Sequence, residues 1–230
     1  MTSSSFADGS IAVLGIERTP PGSSRRPPIW RMSSVDVPSR RRLRNVRIDS
    51  LASIPRAIVH PSPPLARSGI VLRPFRVDDF ERAQAASDDA ATEWGASMPA
   101  TDAAGVVAYL DECRRDGVLL DLVIAHATTD DYLGEVMIAV GEHAVAEIGC
   151  LLAPDARGRG HATEAFDLVV PWAFKALGLA RIQAFVAVTN PAGLALTERA
   201  GFRREGVLRA YLELDGARVD AVVLSRLPTD

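Results

Sequence analysis

The feature that most constrains the fold is a glycine-containing turn between an apolar strand and a long helix. The strand end at residues 151–153 runs into a turn that holds Gly158 and Gly160, and the helix starts directly after the second glycine. The first amides of a helix have no partner within it, so several N–H groups converge on one point. Arg157 and Arg159 add positive charge beside them. The stretch therefore predicts a site for an anion, such as the phosphates of a cofactor.

Spacing separates the ligand families that use such a turn. A P-loop requires Lys-Ser or Lys-Thr after its last glycine, whereas His161 and Ala162 follow here. A dinucleotide fingerprint requires glycine or alanine at the position of Thr163, and it opens a βαβ unit instead of lying late in the chain. The remaining pattern is Arg-x-x-Gly-x-Ala, formed by Arg157, Gly160 and Ala162. A structural turn without a ligand is the alternative interpretation.

This pattern resembles the acyl-CoA pyrophosphate loop of the GNAT superfamily of N-acetyltransferases. Further matches lie at 146–149 (Ala-Glu-Ile-Gly), 162–165 (Ala-Thr-Glu-Ala), 190–192 (Asn-Pro-Ala) and 201–202 (Gly-Phe). Together they are similar to the branch that acetylates protein N-termini, notably those of ribosomal proteins. The resemblance implies an α/β (α+β) GNAT fold, with a mixed, mostly antiparallel sheet, helices on both faces and a central parallel pair.

Hydrophobic periodicity and turn signals predict the elements of this fold. About seven strands are predicted, at 70–75, 119–126, 132–140, 145–152, 181–188, 207–214 and 218–225. The predicted helices cover 78–87, 102–115, 160–177 and a short segment capped by Asn190. Because a helix separates the strands at 145–152 and 181–188, these two strands should be parallel.

Composition divides the chain near residue 66. Residues 1–66 hold nine of the 15 prolines and ten arginines against four acids, without a sustained helical or strand period. We expect a disordered basic extension over 1–66 and the acetyltransferase domain over 67–230. Three interpretations of the extension remain: an expendable or mis-started N-terminus, a basic arm for an acidic partner, and a transit peptide. The first is favoured, because the many prolines disrupt the amphipathic helix that a transit peptide requires.

Charge and apolar content argue against several classes of protein. Residues 67–230 carry 16 basic and 25 acidic side chains, a net −9, which favours a cationic acceptor and argues against nucleic acid. No apolar run approaches the roughly 18 residues of a membrane helix. Cys113 and Cys150 show neither metal nor disulfide spacing. We expect a cytoplasmic monomer or homodimer with no metal, no nucleic-acid partner and no membrane association.

The resemblance implies acetyl-CoA as the co-substrate and assigns residues to it. The pantetheine arm lies like an added strand along the backbone of Leu151, Leu152 and Ala153, and an amide near Leu152 meets the thioester carbonyl oxygen. Asn190 matches an asparagine that holds the pantetheine, with a plain helix N-cap as the alternative. The pyrophosphate is assigned to the backbone of Arg157, Gly158, Arg159, Gly160, His161 and Ala162.

Glu147 is the best candidate for the general base. It shares one strand face with apolar neighbours, where a carboxylate requires a reason. An ion pair with Arg181 is the alternative role, and the other candidate bases are Glu135, Glu142 and His143.

The general acid of many relatives is missing. They have a serine three residues and a tyrosine seven residues after the asparagine, but these positions are Gly193 and Thr197 here. Tyr211 is the candidate that remains for protonating the departing thiolate, with a relay through Thr197 or a proton from water as alternatives.

The acceptor is predicted to contact Trp94 and Glu135, although Trp94 could equally cover the core. The sequence thus predicts an acetyl-CoA-dependent N-acetyltransferase in which a primary amine attacks directly, without an acyl-enzyme. The first acceptor hypothesis is a protein or peptide N-terminus. The alternatives are a small amine, such as an antibiotic, polyamine or amino acid, and a non-catalytic acyl-CoA-binding module.

Overall fold

The computed structural model describes residues 57–94, with the backbone alone for 88–94, and residues 102–214 and 216–230. In this part of the chain, eight strands form one sheet and four α-helices pack against it. The strands are β1 (Leu65–Ala66), β2 (Ile70–Arg73), β3 (Leu119–His126), β4 (Tyr132–Val140), β5 (Val145–Leu152), β6 (Arg181–Ala187), β7 (Arg203–Leu214) and β8 (Ala217–Arg226). The helices are α1 (Phe80–Trp94), α2 (Ala103–Arg115), α3 (His161–Leu177) and α4 (Pro191–Arg199).

The strand order in the sheet is β1-β2-β3-β4-β5-β6-β8-β7. All neighbours are antiparallel except β5 and β6, which are parallel. Helices α3 and α4 cover one face, and α1 and α2 cover the other. The predicted mixed sheet with a parallel pair is therefore confirmed, with one more strand than expected because β1 adds a short edge strand to β2.

Strand alternation decides which side chains face each helical layer. The even-numbered side chains of β5 lie in the core beneath α3, together with Phe166. The odd-numbered ones, including Glu147 and Leu151, face α1 and α2. By the same alternation, Asp121 of β3 and Glu135 of β4 face α1 and α2. One face of the sheet centre therefore carries three carboxylates.

Residues 57–66, which we assigned to the N-terminal extension, pack against the domain in the structure. Ile58 is 1% exposed, and its N–H donates to the carbonyl of Arg114 at the end of α2 (2.9 Å). The Arg114 guanidinium donates in return to the Ile58 carbonyl (2.9 Å). A single anchoring isoleucine among prolines has no periodicity that a sequence pattern could reveal. Residues 1–56 lie outside the described residues, so their disorder stays a prediction.

Two element ends also differ from prediction. Helix α1 continues to Trp94 instead of ending near residue 87. A 3₁₀ turn precedes α1, and within it the Arg76 N–H donates to the Asp79 carboxylate (2.8 Å). The same carboxylate also accepts two hydrogen bonds from Arg73. Strand β7 begins at Arg203 instead of residue 207, since its charged first residues pair with β8 through the backbone. None of the described helices is long and apolar enough to cross a membrane.

Candidate active site

The parallel strands β5 and β6 separate shortly after they begin to pair. Their register covers only 145–147 opposite 181–183. On its other edge, β5 stays paired with β4 as far as Leu152. A gap therefore opens beside β5 from residue 148 onward, and it leads toward the turn that precedes α3.

The backbone of β5 presents polar groups to this gap. N–H groups of successive strand residues point to opposite edges, and the Ala153 N–H donates to the Leu133 carbonyl on β4 (2.9 Å). The N–H groups of Cys150 and Leu152 consequently point away from β4, into the gap. The Leu152 carbonyl points the same way and accepts from Nε of Arg157 (3.1 Å). The strand edge can thus bind an extended polar arm. The Arg157 side chain folds back onto the end of β5 and does not project outward.

The turn before α3 forms an open hollow. Gly158 and Gly160 have φ angles of 71° and 87°, which L side chains rarely adopt. A Cβ built on either glycine meets no atom within 4 Å, so the space above the backbone is vacant of protein. A ligand can therefore approach the backbone of both residues closely.

The start of α3 supplies hydrogen-bond donors to this hollow. Its N-cap, Gly160, provides no side-chain acceptor. At this end of the helix, the Glu164 N–H donates to the Gly160 carbonyl (3.0 Å). The N–H groups of 161–163 have no acceptor inside the helix, and the helix dipole adds positive potential. Burial lowers the pKa of His161, which favours the neutral imidazole. The residue therefore offers an anion its backbone N–H and not a charged side chain. The donors and the vacant space fit a diphosphate.

Asn190 adopts the role of a helix cap. It is 2% exposed, and its Oδ1 accepts from the Gly193 N–H at the start of α4 (2.8 Å). Thr197, at the position of the missing tyrosine, is fully buried, and its hydroxyl bonds to the carbonyls of Gly193 (2.9 Å) and Leu194 (3.0 Å). This hydroxyl is occupied within α4, which argues against a proton relay through Thr197.

Glu147 lies at the point where β5 and β6 part. It is the last β5 residue with a partner on β6, Gln183. Burial raises its pKa to about 7, and no cation in the described part of the chain offsets this effect. Arg181, its expected alternative partner, binds Glu205 (2.7 Å). A carboxylate with such a pKa can accept a proton near neutral pH.

Tyr211 lies close to Glu147. Its ring packs on Phe185 of β6, with 4.6 Å between the ring centroids. Burial and the charge of Glu147 both raise the pKa of Tyr211, so its hydroxyl stays protonated at neutral pH. The two candidate catalytic residues thus interact electrostatically, with the ring of Tyr211 held against β6.

Glu135 lies on β4 opposite Leu151, on the face toward α1 and α2. Its Oε1 accepts from the Tyr132 hydroxyl (2.9 Å), and burial raises its pKa to about 7. Asp121 of β3 is a further buried acid nearby, which was not among the residues predicted for the site. A signal existed, since Asp121 interrupts the apolar run Leu-Leu-Asp-Leu-Val-Ile.

The remaining predictions concern Trp94 and metals. Trp94 closes α1, but its side chain lies outside the described residues, as do residues 95–101. Its contact with an acceptor stays a prediction. In the described ranges, no group of three or more His, Cys, Asp or Glu side chains could hold a metal ion.

Comparison with known proteins places this site in a family. Residues 70–203 match the family model described as acetyltransferase (GNAT) domain. Among curated relatives, the Bacillus subtilis protein YdaF, a candidate ribosomal N-acetyltransferase, is 38% identical over 82 residues, covering 36% of this chain and 45% of YdaF. Spermidine N(1)-acetyltransferase of Vibrio cholerae is 33% identical over 78 residues, covering 34% of this chain and 45% of the relative.

A solved structure supports the same assignment. Mycobacterium smegmatis RimJ in complex with CoA-disulfide superposes with a TM-score of 0.64 at 26% identity, covering 74% of this chain and 91% of RimJ. The chain spans only about half the length of several curated relatives that it matches. The family model nevertheless covers more than half of the chain and includes β5, the glycine turn and α3. The chain therefore belongs to the GNAT family of acetyltransferases.

Proposed function

We propose that this protein is an acetyl-CoA-dependent N-acetyltransferase whose acceptor is a primary amine, in the first instance the N-terminus of a protein or peptide. The observation that carries the proposal is the gap between β5 and β6, which leads directly to an uncapped helix N-terminus. This arrangement offers one continuous polar track, from a diphosphate site to a carboxylate at the far end.

The residues of the track divide the binding of acetyl-CoA between them. The backbone of 157–162 holds the pyrophosphate, and the backbone of Leu151, Leu152 and Ala153 binds the pantetheine arm. The inward N–H of Leu152 is oriented to stabilise negative charge on the thioester oxygen. Asn190 caps α4 and, in this proposal, also contacts the pantetheine arm. When bound, acetyl-CoA supplies the activated acetyl group.

Glu147 accepts the proton that the amine loses on attack. Its position at the end of the gap and a pKa of about 7 support this role. Tyr211 donates a proton to the departing thiolate, supported by its electrostatic interaction with Glu147 and by a hydroxyl that is protonated at neutral pH. Glu135 and Trp94 bind the acceptor on the side of α1 and α2.

The choice of acceptor rests on similarity and charge. Similarity to YdaF, which is described as a ribosomal N-acetyltransferase, favours a protein acceptor. Similarity to the spermidine acetyltransferase favours a second candidate, a small polyamine. The surplus of acidic side chains in the domain attracts either amine, because both are cationic at neutral pH.

The test is acetyl-CoA consumption by the full chain with a matched panel of acceptors. The panel holds peptides with a free N-terminus, the same peptides with a blocked N-terminus, and spermidine. We expect turnover with free but not blocked peptides, and mass spectrometry should place the acetyl group on the terminal nitrogen. Turnover with spermidine alone would transfer the proposal to small amines. Binding of acetyl-CoA without turnover of any acceptor would indicate a non-catalytic module and refute it.

A further inference from the structure

A second feature of the α1/α2 face is a buried carboxyl without a partner. Asp121 is 6% exposed, and neither of its carboxyl oxygens has a hydrogen-bond partner in the described part of the protein. It lines a cavity of about 30 Å³ between α2 and the sheet, together with His60, Asp111 and Arg114. The cavity has room for water, but not for an acceptor molecule. Asp121 therefore cannot contact the acceptor directly.

Asp121 does lie next to Glu135. Val123 pairs with Glu135 across β3 and β4, so Asp121, two residues earlier on the same face, is its diagonal neighbour. The charges of Asp121 and Glu135 are close enough to raise the pKa of Asp121 beyond the effect of burial. Glu135 in turn faces Leu151 of the strand that lines the gap. The pair thus joins the cavity to the proposed active site.

No cation of the described residues neutralises this pair. Arg73 of β2 is committed to Asp79 and Asp130. Arg114 of α2 binds the Ile58 carbonyl and Asp111. Three other titratable groups face the pair. The charge of Asp79 raises the pKa of both carboxyls, and Tyr132 donates a hydrogen bond to Glu135. Burial lowers the pKa of His60, the third group. Two neighbouring buried carboxyls without a cation cannot both ionise.

We propose that Asp121 and Glu135 share one proton in the free protein, in the sense that one carboxyl or the other carries it without a direct hydrogen bond between them. A positively charged group of the acceptor displaces this proton when it binds Glu135. The proton leaves to solvent and the ammonium charge takes its place, so the charge of the site is conserved. Asp121 is a positioning residue that acts through Glu135. This inference rests on the proposed function and specifies its substrate class: the acceptor binds as a cation.

The shared proton is tested first, in the free full-length protein, by infrared titration of protonated carboxyl groups between pH 5 and 9. Because burial also raises the pKa of Glu147 to about 7, we expect two carboxyls of the wild type to titrate near pH 7. Glu147→Gln should remove the first signal, and the second should disappear or move to lower pH in Asp121→Asn and in Glu135→Gln. Asp111→Asn is the matched control, because Asp111 lines the same cavity without facing Glu135. A wild type without the second signal, or an Asp121→Asn variant that keeps it, would overturn the proposal.

Displacement of the proton is tested by calorimetry of the CoA-saturated protein with the acceptor, in two buffers of different ionisation enthalpy at pH 6.5. We expect release of about one proton per acceptor bound in the wild type and almost none in either variant. In the wild type, the acceptor KM should fall about tenfold between pH 5.5 and 6.5, and in Asp121→Asn it should change little. The KM for acetyl-CoA should stay within twofold in both proteins.

A purely structural role of Asp121 makes a different prediction. It would change the thermal midpoint of Asp121→Asn without altering the pH dependence of the acceptor KM, and that result would overturn the inference. Acceptor binding without proton release would also overturn it. A protein that turns over no amine would refute the proposed function instead, whereas the infrared titration would still decide whether the proton is shared.

Discussion

Replacement of Glu147 by glutamine should make the protein more stable and less active. The side chain is partly buried, and burial alone raises its pKa from 4.5 to about 7. Between these pH values the folded protein binds more protons than the unfolded chain, so stability falls as pH rises through this window. The shift corresponds to about 3 kcal/mol of stability that the wild type lacks above pH 7. Glutamine keeps the shape without the charge.

The variant should therefore gain up to about 3 kcal/mol at pH 8 and less than about 1 kcal/mol at pH 5. A chain of this size gains roughly 2–4 °C in its thermal midpoint for each kcal/mol, so calorimetry at the two pH values measures the difference. Turnover should fall about 10²-fold or more at neutral pH, because the attacking amine loses its proton acceptor. The acetyl-CoA Kd should stay near the wild-type value.

The control is Glu142→Gln, the same chemical change on a fully solvated acid just before β5. It should alter neither stability nor turnover. The wild-type rate should rise with pH toward a plateau above about 7, and this inflection should be absent from Glu147→Gln. Unchanged turnover, or the same inflection in the variant, would remove Glu147 from the mechanism. An absent stability gain at pH 8 would show that the carboxylate has a partner in solution.

Three further predictions concern the frame of the site. Gly134→Ala places a Cβ 2.1 Å from the Leu151 carbonyl oxygen. The variant should lose about 1–3 kcal/mol of unfolding free energy in a denaturant titration and should bind acetyl-CoA more weakly. The control Gly206→Ala, whose Cβ meets nothing within 4 Å, should change neither quantity. Tyr211→Phe keeps the packing on Phe185 and should lower kcat with little change in the acetyl-CoA Kd; an unchanged kcat would assign the thiolate's proton to water. Deletion of residues 1–66 should lower the thermal midpoint, since it removes the Ile58 anchor, whereas deletion of 1–56 should not.

The sequence predicted the central elements well because their signals are local. Strands β3, β4 and β5 have the predicted bounds, since each combines a β-rich apolar run with a turn at its end. The two glycines, which adopt positive φ, predicted the turn before α3. The apolar face of the following segment predicted the helix itself. These features depend on a few neighbouring residues, so a single sequence is enough to place them.

Features that depend on distant residues were harder to predict. The burial of Ile58 depends on the carbonyl of Arg114, which lies 56 residues later. Arg181 binds Glu205 instead of Glu147 because β7 and β8 bring that glutamate to it, and spacing alone cannot show such a contact. The same reason hid the diagonal proximity of Asp121 to Glu135, which only the register of β3 and β4 reveals.

The most direct test of the central claim is the product formed from acetyl-CoA and a peptide with a free N-terminus. We expect release of CoA in step with acetylation of the terminal nitrogen, loss of both with the blocked peptide, and strong reduction of both in Glu147→Gln. Binding of acetyl-CoA without acetylation of any amine in the panel would contradict it.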